Sequence, residues 1–108
     1  MTAKLPRPLA DYFAATNAHD VAAMSAAFLE DATVHDGGRD RQGLAAIRAW
    51  MKETIEKYNY QADPLDSSRA GRKAVVLVSL RGTFPGSPIT LPYTFTLEGQ
   101  KISRLEIG

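Results

Sequence analysis

The sequence predicts an α+β domain: three N-terminal helices packed against a curved, mostly antiparallel sheet with an internal pocket. Two observations carry this. Apolar residues recur at helical spacing up to Tyr58. From Tyr60 onward the period changes to two, with Gly- and Pro-containing turns between the apolar runs.

Pro6 and Pro8 are tolerated in a first helical turn, whose N–H groups lack intrahelical partners anyway. Leu5, Leu9, Tyr12, Phe13 and Thr16 follow helical spacing, and Asn17-Ala18-His19-Asp20 breaks it. Asp20 is a good N-cap for a second helix carrying Val21, Met24, Phe28 and Leu29. Ala32 to His35 is a short strand, and Gly37-Gly38 ends it in a loop. The third helix runs from Leu44 to Tyr58, with Leu44, Ile47, Trp50, Met51, Ile55 and Tyr58 as its apolar stripe and Asn59 as its stop. Ala74 to Thr83 forms a strand rich in β-branched residues, followed by the turn Pro85-Gly-Ser-Pro88. Ile89, Leu91, Tyr93, Phe95 and Leu97 alternate with Thr90, Pro92, Thr94 and Thr96, the clearest strand in the chain. Pro92 lacks an N–H and therefore predicts an edge position or a bulge. Glu98-Gly99 turns the chain into a last strand, Lys101 to Ile107.

Composition narrows the function classes. A chain of 108 residues reads as one domain with room for a core. A net charge of +1 with scattered basic residues gives no footprint for nucleic acid or an anionic membrane. There is no cysteine, which removes thiolate nucleophiles and zinc-thiolate sites. Neither a signal-peptide core nor a run of membrane-span length is present, so a cytoplasmic protein is expected.

The block Phe28-Leu-Glu-Asp-Ala-Thr-Val-His-Asp36, followed by Gly43-Leu-Ala-Ala-Ile-Arg-Ala-Trp50, resembles the SnoaL-like polyketide cyclase and ketosteroid isomerase group of the nuclear-transport-factor-two-like superfamily. The resemblance implies a conical α+β barrel with a pocket at its open end, often a homodimer, working without a cofactor or metal. In the isomerases the aspartate closing this block is the catalytic base, and it matches Asp36. A tyrosine on the first helix supplies an oxyanion hole, and Tyr12 falls in register without a gap. The second oxyanion donor of the family, a protonated aspartic acid, falls near Tyr93, and a supporting tyrosine on the third helix is Met51 here. The loop after Asp36 is shorter than in the isomerases and carries Arg39 and Arg41. Epoxide hydrolysis, known on this fold, needs an Asp-Arg-Asp group that Arg39 and Asp40 do not evidently supply.

Two readings of each candidate stand side by side. Asp36 is a pocket carboxylate, or a turn-former before two glycines. Tyr12 presents its hydroxyl to a ligand, or packs its ring and satisfies its hydroxyl locally. Trp50, Tyr58, Phe84, Tyr93 and Phe95 fit core spacing, and in a conical fold some core residues line the cavity. Trp50, Tyr58, Tyr93 and Phe95 are the candidate substrate-binding residues, with Arg39 as a latch for an acidic group or as a solvated loop charge. His35 adjoins Asp36 and so faces the other side of its strand. His19, between two helices, is expected in solvent, and the two histidines make no metal site. The expected partners are a small apolar or carbonyl-bearing ligand and a second copy of the chain, joined through the face bearing Thr90, Thr94 and Thr96 beside Val75 and Leu77. The expected function is isomerase, cyclase or dehydratase chemistry on a small carbonyl compound. The alternative is a non-catalytic binding or dimerisation domain.

Overall fold

The computed structural model describes residues 5–108. Helix α1 spans Arg7–Asn17, with Pro6 at its N-cap and Pro8 in its first turn. Helix α2 is a short Val21–Ala26 segment capped by Asp20, whose carboxylate accepts from the Ala23 N–H at 3.1 Å. Strands β1 (Phe28–Asp36) and β2 (Arg39–Gln42) follow, then helix α3 (Leu44–Tyr58). Strands β3 (Gln61–Ala70), β4 (Lys73–Arg81), β5 (Ile89–Glu98) and β6 (Lys101–Ile107) complete the chain.

The strands form one six-stranded sheet in the order β2-β1-β6-β5-β4-β3. The β1–β6 pairing is parallel and the other four are antiparallel. Register shifts in β1, β3 and the β5–β6 pair mark bulges, which bend strands and let the sheet curl over the helices. Helix α3 packs on β1 and β2, while α1 packs on β3 and β6. Leu9, Phe13, Ile47, Met51, Val76 and Phe95 are buried between the layers.

Several local expectations are corrected by the sheet. Phe28 and Leu29 belong to β1, not to the second helix. Phe28 registers with Ile102, and the Ile102 N–H donates to the Ala27 carbonyl at 2.8 Å, so strand pairing overrides helical spacing there. Gly37-Gly38 does not open a loop. Both residues have positive φ (60° and 75°), as a two-residue hairpin turn of the primed type demands, and β2 returns alongside β1. β4 ends at Arg81 rather than at Thr83. β3 was hidden in the sequence because Pro64 and a polar run interrupt its alternation, and it holds the sheet edge where such a sequence is tolerated.

Pro92 lies on an interior strand, between β4 and β6, and away from the bulge at Thr96/Leu97. It is accommodated because the β5–β6 ladder stops at Tyr93↔Ile107. The Pro92 carbonyl accepts from the Gly108 N–H at 3.0 Å, so its donor-less nitrogen faces the end of β6, not the β4 ladder.

His19 is not in open solvent. Its Nε2 lies 2.8 Å from the Tyr60 carbonyl, and its backbone takes a φ of 53°. Beside it, Asn17 exchanges two hydrogen bonds with the Ala62 backbone, at 2.9 and 2.7 Å. The α1–α2 corner thus clamps the start of β3 and fixes where Tyr60 projects.

Candidate functional site

A cavity of about 450 Å³ opens between α3 and the concave face of the sheet, within the usual size of a small-molecule site. Asp36, at the end of β1, is the one charged residue on its wall among the described residues. Trp50, Thr54 and Tyr58 come from successive turns of α3, Tyr60 from the α3–β3 junction, and Ile89, Leu91 and Tyr93 from β5. Leu80, Phe84, Pro85 and Ile107 complete the lining.

Asp36 is held at two points. The indole N–H of Trp50 donates to its Oδ2 at 3.0 Å. Arg41, on β2, reaches back across the hairpin, and its Nη1 donates to the Asp36 backbone carbonyl at 2.6 Å. The turn reading and the pocket reading of Asp36 therefore separate: the glycines form the turn, and the carboxylate enters the cavity. His35 faces away, and its Nδ1 lies 2.7 Å from Asp40 Oδ1 across the hairpin.

The rim is closed by the β4–β5 connection. The Thr83 N–H and hydroxyl both donate to the Tyr58 carbonyl, at 2.8 and 3.1 Å. A Cβ on Gly82 would stand 2.4 Å from that same oxygen, so only glycine permits this approach. Phe84 then meets Tyr58 edge to face, with ring centroids 5.7 Å apart.

Tyrosines dominate the polar side of the cavity. Burial pushes Tyr60 up to about 12; Thr54 partly opposes this, and the nearby Asp36 adds to it. Tyr93 is raised well above 10 by burial, then by Tyr60 and Asp36. Tyr12 is raised well above 10 by burial first, with Tyr60, Tyr93 and Asp36 adding to the effect and Thr16 partly opposing it. All three are therefore neutral hydrogen-bond donors at physiological pH, not phenolates. The Tyr12 hydroxyl is buried and makes no hydrogen bond of good geometry, and the neighbouring Thr16 hydroxyl donates to the Tyr12 backbone carbonyl at 2.7 Å.

Among the candidate substrate-binding residues, Trp50, Tyr58 and Tyr93 lie on the wall with Asp36. Phe95 does not. It is fully buried against Tyr12 and Phe13, because α1 covers the sheet from that point on. Arg39 does not either: it sits exposed at the start of β2, just after the hairpin turn. Tyr12 lies in the core edge-on to Phe13, Phe28 and Phe95 rather than on the cavity lining. Tyr60 and Thr54 were missed as site residues. Thr54 stands one helical turn from Trp50 and from Tyr58, and that spacing was a usable signal. Tyr60 gave none, because its direction depends on the clamp from Asn17 and His19.

Among the described residues no cluster of three or more His, Asp or Glu could hold a metal ion. Among the described residues no arginine lines the cavity, so the Asp-Arg-Asp arrangement of epoxide hydrolysis is not assembled from them.

Residues 9–105 match the SnoaL-like domain, and the chain belongs to that family. Its fold is that of the nuclear-transport-factor-two-like and ketosteroid isomerase-like proteins. It is similar to a protein from Sinorhizobium meliloti provisionally assigned as a polyketide cyclase, at 42% identity and a TM-score of 0.94, covering 96% of this chain and 95% of that one. The epoxide hydrolase/cyclase-like enzyme SalBIII, of pyran-ring formation in salinomycin, is 27% identical with a TM-score of 0.82, covering 94% and 86%. A ketosteroid isomerase-like protein from Catenulispora acidiphila, solved with trimethylamine, is 20% identical with a TM-score of 0.85, covering 97% and 86%, and shows the fold alone. No curated protein matches the chain.

Proposed function

We infer that this protein is a cofactor-independent enzyme of the cyclase or isomerase type, acting on a small carbonyl compound by proton abstraction. The observation that carries the reading is a single carboxylate, Asp36, on the wall of an otherwise uncharged cavity beside neutral phenols. A carboxylate there is suited to remove a proton from a carbon next to a carbonyl. The C–H pair becomes the enolate double bond, the carbonyl π pair moves to oxygen, and the proton resides on Asp36 until it is returned. Tyr93, on the cavity wall, is proposed to donate to that oxyanion. Tyr12, which lies behind the wall, is proposed to act through Tyr93 rather than on the substrate directly, and its hydroxyl in the electrostatic neighbourhood of Tyr93 and Asp36 supports this role. Trp50 and Tyr58 are proposed to hold the apolar body of the substrate. The similarity to the Sinorhizobium meliloti protein and to SalBIII favours cyclisation over the remaining options.

We also propose a homodimer. Val75 and Leu77 are exposed on the outer sheet face and register with Thr94 and Pro92, giving a continuous semi-apolar surface. A soluble protein of the cytoplasm fits this reading.

The test is deuterium uptake. The protein is incubated with β-tetralone, a ketone with acidic α-protons, in deuterium oxide, and exchange is followed by proton NMR. Exchange above buffer that vanishes in Asp36→Asn supports the reading. Binding of β-tetralone without exchange would leave the alternative, a non-catalytic ligand-binding domain.

A further inference from the structure

Asp36 has two carboxylate oxygens with unequal surroundings. Oδ2 accepts the indole N–H of Trp50 at 3.0 Å. No hydrogen bond from the described residues reaches Oδ1. Both elements that set this geometry are fixed. The end of β1 is held by Arg41 through the Asp36 carbonyl, and the backbone at Trp50 is tied to the next turn of α3 by the Thr54 hydroxyl, which donates to the Trp50 and Met51 carbonyls at 3.0 and 3.1 Å. The indole nitrogen is donor-only, so it holds a carboxylate in one sense and takes no part in proton transfer itself.

We propose that Trp50 is a positioning residue for Asp36, holding Oδ2 and assigning Oδ1 as the oxygen that receives the substrate proton. This rests on Asp36 being the base, as inferred above. The geometry has a chemical consequence. A carboxylate fixed at its backbone and at one oxygen addresses one point in the cavity. It serves enolisation and ring closure at a single carbon, where the proton need not travel, better than an isomerisation that carries the proton between distant carbons. Proton transfer needs donor and acceptor within about 3 Å in a defined direction, so a carboxylate that swings loses rate rather than affinity.

The chain contains one tryptophan, so one indole N–H signal reports on this bond. In the wild-type protein that proton is expected downfield and slow to exchange with solvent, and in Asp36→Ala both properties are lost. An indole signal with the same shift and exchange rate in Asp36→Ala overturns the proposal, and this comparison requires no folded Trp50 variant. The second arm is Trp50→Phe, which keeps an aromatic wall and removes the donor. For β-tetralone exchange, kcat is expected to fall by about 10- to 150-fold, the rate equivalent of one hydrogen bond to a charged group. KM and the dissociation constant for β-naphthol, a phenol that mimics the enol, should stay within about twofold, as for an interaction that acts mainly on the chemical step. An unchanged kcat in Trp50→Phe overturns the positioning role alone. A wild-type protein that does not exchange β-tetralone, or an Asp36→Asn variant that exchanges it as well as wild type, overturns the base reading and with it the assignment of Oδ1.

Discussion

Tyr93 and Phe95 stand two residues apart on one face of β5, yet Tyr93 lines the cavity and Phe95 is sealed in the core. Their ring centroids are 6.1 Å apart. The boundary between ligand space and packed interior falls between them, because Tyr12 and Phe13 of α1 fill the space opposite Phe95. The cavity is deep where the sheet extends beyond α1, and absent where α1 covers it.

Phe95→Ala should cost about 3–5 kcal/mol of stability, the usual result of emptying an aromatic site in a core. Phe95→Leu should cost much less. Urea midpoints check both, and β-naphthol affinity should be almost unaffected in Phe95→Leu, since Phe95 is not on the wall.

Tyr12→Phe should separate stability from function. The hydroxyl it removes is buried and makes no hydrogen bond of good geometry, so the variant is expected to be equal to wild type or about 1 kcal/mol more stable. Exchange of β-tetralone should fall about 10-fold if that hydroxyl supports the Tyr93 donor from behind the wall. Loss of stability in Tyr12→Phe would show that the hydroxyl is satisfied in solution and would remove the basis of its proposed role.

Alkaline pH should weaken the fold through Tyr60. Its folded value is raised to about 12 from an ordinary 10. The protonated phenol is therefore favoured by folding. Its contribution is complete below about pH 10 and is lost as pH rises through about 12, because the unfolded chain ionises first. Two units correspond to about 3 kcal/mol at most. Denaturant melts between those pH values should show a shallower decline for Tyr60→Phe than for wild type.

Asp36→Asn should abolish deuterium uptake while leaving stability within about 1 kcal/mol, since an amide oxygen still accepts from the Trp50 indole. Thermal melts together with the exchange assay decide it. A large loss of stability would mark Asp36 as a structural turn residue.

Leu77→Lys should convert the proposed dimer to a monomer without unfolding it, because the side chain is 41% exposed in the single chain and lies mid-strand on the outer face beside Pro92. Sedimentation velocity of wild type and variant at micromolar concentration reads this directly. A wild-type monomer would refute the dimer.

Periodicity was enough for the elements whose local pattern and tertiary fate agree. Helix α3 matches its expected bounds, Leu44–Tyr58, because its apolar stripe, Gly43 and the left-handed Asn59 cap all point to the same segment. Asp20 capped α2 as its chemistry requires, and the alternation from Ile89 to Leu97 did define a strand and its inner face. Asp36 and Trp50 both stood in the block that carries the family resemblance. Their hydrogen bond did not, since it depends on how α3 lies across the end of β1. Phe28 went to a strand because β6, seventy-odd residues later in the chain, offers it a ladder partner. Tyr60 became a cavity wall because Asn17 and His19 clamp the backbone beside it. Phe95 was removed from the wall by α1, although its spacing is that of Tyr93. Local spacing encodes which face of an element is apolar. Whether that face meets a side chain, a ligand or water is decided by long-range contacts, and these form only when the whole sheet curls over the helices.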